Sequence, residues 1–185
     1  LAGADEYQPL IDLAISASEA AKDSAVRAVK YAARKIENQA DRARPVIEAI
    51  NANGDPVKAR LLGVLADIAG PDALKVVEGF ARGSDTPVRA AAIDALGEWK
   101  EPAAIDTVLE LAAATQDAEL RGALMTAFGS LMARPSEQEN EAKFKQCRRA
   151  LEIGLDTDGK RALLNAVSKI MDERALDLIE TIGDR

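Results

Sequence analysis

Residues able to do acid–base, nucleophilic or metal chemistry are few in this chain. Histidine is absent from its 185 residues, which removes the commonest general base and the commonest metal ligand together. Cys147 is the single cysteine, so neither an intrachain disulfide nor a cysteine metal cluster can form. Catalysis would have to rest on carboxylates, Lys, Tyr or that one thiol. Cys147 has Phe144 three residues before it and Leu151 four after, one apolar helix face. With no His to activate it, that is the setting of an inert core thiol rather than a nucleophile. No catalytic, metal or cofactor site is expected, and the chain reads as a non-enzyme.

Charge offers recognition instead of catalysis. The 31 acidic and 24 basic residues leave a net charge of −7, a surface that repels a phosphate backbone unless its basic residues segregate onto one face. The densest run is Ser136-Glu137-Gln138-Glu139-Asn140-Glu141, followed by Lys143, Lys145, Arg148 and Arg149. It places acids at a helix start and bases toward its end, with Ser136 and Glu139 spaced as a capping box, so dipole compensation explains it without a ligand. Trp99 falls in the column of Ile68 and Ile170 and reads as core rather than as a ring awaiting a ligand. No apolar run approaches the roughly 20 residues that span a bilayer, and no secretory h-region is present.

The elements that carry these residues are helices. The composition is 48% hydrophobic but only 3% aromatic, a core of Ala, Leu, Ile and Val that favours closely packed helices over a β-sandwich. Punctuation predicts eleven helices and no strand: Glu6 to Ala20, Asp23 or Ser24 to Glu37, and a third from near Asp41, with Pro45 tolerated only if it falls in the first turn and Gly54 as its C′ residue. Then come Pro56 to Ala69, Asp72 to Arg82, Pro87 to Trp99, Pro102 to Ala114, Ala118 to Met132, Glu137 to Ile153, Asp158 to Met171 and Glu173 to Ile182. Pro87 and Pro102 sit in first turns, where a missing N–H costs nothing.

The pattern repeats. An early basic residue marks successive units as Arg27, Lys58, Arg89, Arg121 and Lys160, spaced 31, 31, 32 and 39 apart, the last step holding an insertion around Arg134 to Asn140. Four residues after each marker stand Tyr31, Leu62, Ile93, Met125 and Leu164. Eight residues after, the last four units have the small Ala66, Gly97, Gly129 and Ser168, which would let helices approach closely. The first unit has Arg34 and Lys35 at the corresponding places, so it is shifted in register or belongs to a polar end cap. Asp23, Asp55, Asp85, Asp117 and Asp156 precede the markers, some of them as N-caps. A cation in the first turn opposes the helix dipole by about 0.3 to 1 kcal/mol. Its recurrence predicts a structural ladder in which Arg27, Lys58, Arg89, Arg121 and Lys160 meet the Asp of their own or the next unit, ordinary solvated charges being the alternative.

Pro87 to Ala112, PVRAAAIDALGEWKEPAAIDTVLELA, resembles the short bacterial HEAT repeat, also described as the phycobilisome-lyase-type HEAT-like repeat. Val88, Arg89, Ala91, Ala92, Ala95, Leu96 and Gly97 match the Val-Arg, Ala-Ala and Ala-Leu-Gly segments of its pattern, and Pro102 lies in the expected turn. The likeness runs from about Val26 to the C-terminus, fading outward. Tetratricopeptide and ankyrin signatures are missing. The resemblance implies an all-α fold, an α-α superhelix: a right-handed α-solenoid of about five HEAT-like hairpins in one domain, 1–185. The N-terminal capping helix would occupy 1–22 and the repeats lie near 23–54, 55–84, 85–116, 117–155 and 156–185.

Second helices of such hairpins line the concave side, where outward positions fall at Lys75, Asp106 and Asp177, extended by Glu78, Arg82, Glu110 and Glu180. These make a mixed, mostly acidic strip suited to a basic protein segment, although a solvated face has the same composition. The expected function is a non-catalytic protein-interaction scaffold, monomeric or part of a longer chain, with a protein partner, no nucleic acid and no membrane, the cytoplasm being slightly favoured. The resemblance also implies two alternatives, a bilin lyase-like subunit acting on phycobiliproteins and, with less support, a HEAT-like nucleic-acid binder.

Overall fold

The computed structural model describes residues 6–134, 138–153, 157–170 and 172–183. Eleven helices and no strand are found among them: α1 (Tyr7–Ser16), α2 (Lys22–Ala33), α3 (Gln39–Ala52), α4 (Asp55–Ile68), α5 (Pro71–Ala81), α6 (Thr86–Gly97), α7 (Ala103–Ala114), α8 (Ala118–Met132), α9 (Asn140–Glu152), α10 (Thr157–Val167) and α11 (Arg174–Gly183).

Where the helices begin follows from side-chain chemistry at their ends. Asp85 accepts from the Val88 amide, and Asp117 from those of Glu119 and Leu120, so these two cap α6 and α8 as N-cap residues should. Asp55 instead stands inside the first turn of α4 behind Gly54, and Asp23 inside that of α2 behind Ala21. Asp156 lies outside the described residues, as do Ser136 and Glu137 of the expected capping box and Met171 at the expected end of α10. Helix α9 starts at Asn140 rather than Glu137.

Two readings of punctuation are corrected. Pro45 lies within α3, not in its first turn, because Asn38 caps the helix earlier by accepting from the Ala40 amide. Gly54 does stand at C′ of α3, one residue after the C-cap Asn53, but at φ −79° it does not take the left-handed conformation of a C′ glycine and serves instead as the N-cap of α4. The first two helices are also shorter than expected. Arg60 of α4 explains the end of α1, since its guanidinium donates to the carbonyls of Ala14 at 2.6 Å and Ala17 at 3.2 Å, partners for the last orphan carbonyls of a helix.

The chain divides into two compact units, 1–101 and 102–185. In the first, α4 packs between α2 and α6 in one layer, and α3 packs on α1 and α5 in the other; α1 on α2, α3 on α4 and α5 on α6 join the layers. In the second, α8 lies on α10 while α9 touches α7 and α11, and contacts of α7 with α8 and of α10 with α9 and α11 join the layers. Each unit is thus a two-layer stack of helical hairpins around an aliphatic core.

The repeat columns account for that core. Leu62, Ile93 and Met125 are buried, whereas Tyr31 of the terminal α2 is 64% exposed with the Lys35 ammonium 4.8 Å from its ring centre. Ala66, Gly97 and Gly129 are buried; Ser168 departs from the column, being exposed just beyond α10 with its hydroxyl donating to the Asn165 carbonyl. The use of a small residue is visible at Gly129, where a Cβ would stand 2.9 Å from that of Ala162, so α8 and α10 approach backbone to side chain. Trp99 is buried, as are Ile68 and Ile170 of its column.

Candidate functional site

The second helices carry the expected recognition strip in separate pieces. On α5, in the first unit, Lys75 and Arg82 are exposed, and Arg82 pairs with Glu78 at 2.8 Å, one helical turn away. On α7, in the second unit, Asp106 and Glu110 lie four residues apart on one face, 62% and 56% exposed. Arg149 of α9 reaches toward both, at 3.5 Å from Asp106 and 3.8 Å from Glu110. Asp177 and Glu180 are exposed on α11, where the Thr181 hydroxyl donates to the Asp177 carbonyl at 2.8 Å. The structure therefore brings Asp106, Glu110 and Arg149 together. Arg149 belongs to the basic run seen in sequence, but its charge is turned on this acidic pair.

The five marker cations occupy equivalent places near the starts of α2, α4, α6, α8 and α10 and do different things there. Arg27 donates to the Ser24 hydroxyl at 3.1 Å, and Lys58 pairs with its own Asp55 at 3.3 Å while standing 6.0 Å from the Phe80 ring centre. Arg121 donates to the Thr115 carbonyl at 2.7 Å. Arg89 and Lys160 make no side-chain hydrogen bond or ion pair with a described residue. Among the described residues no ion pair links one of these cations to the Asp of another unit.

Charges that do link successive repeats stand at the other ends of the helices. Asp67, near the end of α4, has a side chain only 11% exposed; it takes Arg34 from the end of α2 at 3.1 Å and Lys100, which follows α6. Burial pushes its carboxyl up, but the hydrogen bonds and charges of Arg34 and Lys100 outweigh this and hold it below its ordinary value. Beside it, Gln39 of α3 donates to the Ile68 carbonyl at 3.1 Å and to Glu101 at 3.0 Å, and Glu101 accepts from the Gly70 amide at 3.1 Å. The turn there is strained: Ala69 has φ +60° and Gly70 φ +91°. Arg34, Asp67 and Lys100 are each 33 residues apart, a signal the sequence contained at a different place from the one the repeat marker drew attention to.

In the second unit Arg174 ties the turn before α11 to α9. It meets Glu141 at 2.6 Å and Asp172 at 2.9 Å and lies 4.6 Å from the Phe144 ring centre. The hydrogen bonds of Arg174, side chain first and then backbone, lower the Asp172 carboxyl to about 2. Cys147 is fully buried and burial pushes its thiol up to about 12. The Tyr7 hydroxyl donates to the Arg42 carbonyl at 2.7 Å and is raised, by burial. Neither group is poised to ionise near neutrality. Among the described residues no three His, Cys, Asp or Glu side chains are placed to hold a metal ion, and no helix is long and apolar enough to cross a membrane.

The family model of HEAT repeats matches residues 43–129. Among solved structures the chain is similar to the crystal structure of an engineered protein, at 17% identity and a TM-score of 0.54, over 97% of this chain and 85% of that one. That likeness shows the fold alone. No curated protein matches the chain. HEAT repeats are in general protein-interaction scaffolds and typically non-catalytic. The fold is all-α, of the α-solenoid class, and residues 43–129 carry the HEAT repeats.

Proposed function

We propose that the chain is a non-catalytic scaffold that takes a basic protein segment on its second helices, the face that lines the concave side of HEAT stacks, with hairpin units near 23–54, 55–84, 85–116, 117–155 and 156–185. One observation carries this reading. Asp106 and Glu110 present two carboxylates, each more than half exposed, to the same side of α7, and Arg149 meets them only at the long end of ion-pair distance. Exposed pairs of this kind are worth about 0 to 1 kcal/mol, so an incoming Lys or Arg can take the place of Arg149 at little cost. Asp177 and Glu180 on α11 add two exposed carboxylates of the same chemistry, whereas on α5 Glu78 is taken by Arg82 and Lys75 is a further exposed cation, a surface suited to an acidic group instead. The carboxylates repel phosphate, which favours protein over nucleic acid as the partner.

The test is affinity capture with carboxylate-directed cross-linking, repeated with an Asp106→Lys/Glu110→Lys variant whose melting temperature is unchanged. The expected result is a protein retained by the parent chain at low salt, cross-linked through a basic segment, and lost by the variant. Recovery of no protein, or equal retention by the variant, overturns the proposal.

A further inference from the structure

The chain has five asparagines, at positions 38, 51, 53, 140 and 165, and glycine follows only Asn53. We infer that Asn53-Gly54 is a self-modification site, at which the Asn53 side-chain amide is lost through attack by the Gly54 backbone nitrogen.

The surroundings leave that nitrogen free to react. Asn53 closes α3 in extended backbone, at φ −119° and ψ 167°, and Gly54 follows as the exposed N-cap of α4. Asn53 is therefore outside both helical hydrogen-bond ladders. The Gly54 amide is among the first of a helix, which have no intrahelical acceptor, and it donates to no described residue. Nothing lies within 4 Å of the place where a Gly54 Cβ would be, so side chains do not crowd the nucleophile. One contact opposes reaction: the Asn53 Nδ2 donates to the Ala49 carbonyl at 2.8 Å. That bond lies in the last turn of α3, where fraying releases it at small cost. The other asparagines differ. Asn51 lies inside α3 and Asn165 inside α10, where the following amide is tied into a helix, Asn38 is the N-cap of α3, and Asn140 opens α9 ahead of a glutamate.

The chemistry needs only water. As the Gly54 N–H proton passes to solvent base, its nitrogen lone pair forms a bond to Asn53 Cγ. The Cγ–Nδ2 bond then breaks, and Nδ2 takes a proton and leaves as ammonia, closing a five-membered succinimide. Water adds to one of the two ring carbonyls. Opening at Cγ gives aspartate with the original backbone; opening at the main-chain carbonyl gives isoaspartate, with the chain rerouted through Cγ. The net change is amide plus water to carboxylate plus ammonium, with no redox step.

Either product alters the junction of α3 and α4, two helices packed together in the first unit. A carboxylate cannot donate to the Ala49 carbonyl, so that bond at the end of α3 is lost; its charge opposes the α3 dipole and favours that of α4, which begins one residue on, so the lost bond decides the sign. The isoaspartyl product also lengthens the backbone between the helices by one carbon, which shifts them against each other.

The test is to hold the purified native chain at mildly alkaline pH and follow each asparagine by peptide mapping, with enzymatic methylation to report isoaspartate. Conversion is expected at Asn53 ahead of the other four asparagines, with isoaspartate at that position. It should be slowed in Gly54→Ala, a change that the φ of −79° and the open space accommodate. Asn53→Asp serves as a mimic of one product and should melt below the parent chain. Survival of the Asn53 amide in the native chain under conditions that convert it in denaturant overturns the inference, as does an unchanged rate in folded Gly54→Ala.

Discussion

At Ala69 and Gly70 two neighbouring residues hold backbone angles that are nearly reserved for glycine, φ +60° with ψ −160° and φ +91° with ψ 161°. The two substitutions that exchange their types should therefore differ. Gly70→Ala adds a Cβ 2.7 Å from Gln39 Cδ, and Gln39 cannot retreat without giving up its bonds to Ile68 and Glu101. A loss of about 2–4 kcal/mol is expected from the backbone penalty and the overpacking together. Ala69→Gly releases about 1–3 kcal/mol of strain but loses a buried methyl and stiffness in the unfolded chain, about 1–2 kcal/mol together. It should melt within about 1 kcal/mol of the parent chain, and chemical denaturation of the two variants side by side measures the contrast. Cys147 gives a second residue-scale test. With its thiol pushed up to about 12 and no exposed surface, it should resist alkylation at pH 8 in the native chain and react once denaturant is added. Rapid native labelling would contradict the inert-thiol reading.

At the scale of elements, α3 is the helix that its own sequence serves least well. Pro45 removes the N–H that would bond to Asp41 and sets its ring against that carbonyl, at a cost of about 3 kcal/mol in a helix interior. The helix persists because Asn38 caps it, Gln39 anchors its start and Val46, Ala49 and Ile50 are buried against its neighbours. Pro45→Ala should raise stability by about 1–3 kcal/mol, less than the full cost because alanine enlarges the freedom of the unfolded chain; a fall in melting temperature would show that the ring is packed rather than tolerated. The same helix shows what the sequence made legible. Apolar periodicity and Pro, Gly and Asp punctuation placed all eleven helices, because those signals are local. Position within a helix was harder, since Pro45 and Gly54 were read from their types while Asn38, a cap three residues before Asp41, set the start of α3 and Asn53 its end. The contacts between successive repeats were harder again. Arg34, Asp67 and Lys100 do not look alike and come from different helix ends, so a column of like residues such as Arg89 drew attention first. Only packing shows that Asp67 is the shared partner.

At the scale of the whole molecule, a chain of net charge −7 holds carboxylates whose pairing in the folded state makes stability depend on pH. Asp67, in unit 1–101, is the clearest case, since its side chain is almost covered and both its cations come from other helices. Its folded-state value is lowered, so the unfolded chain binds this proton at higher pH than the folded one. The resulting stability is fully present above the ordinary carboxylate value of about 4 and is lost as pH falls through the lower folded value. Asp67→Asn should thus cost about 1–2 kcal/mol at neutral pH, a charged hydrogen-bond loss discounted because Arg34 and Lys100 are themselves partly in water. Parent and variant should converge as acid protonates Asp67 in the parent. Trp99 is the only tryptophan and is buried within the same unit, so its fluorescence during denaturant titrations at pH 7 and in acid reads this difference directly. A gap that stays constant with pH would assign the effect of the substitution to packing, and the Arg34–Asp67–Lys100 link would then contribute no net electrostatic stability.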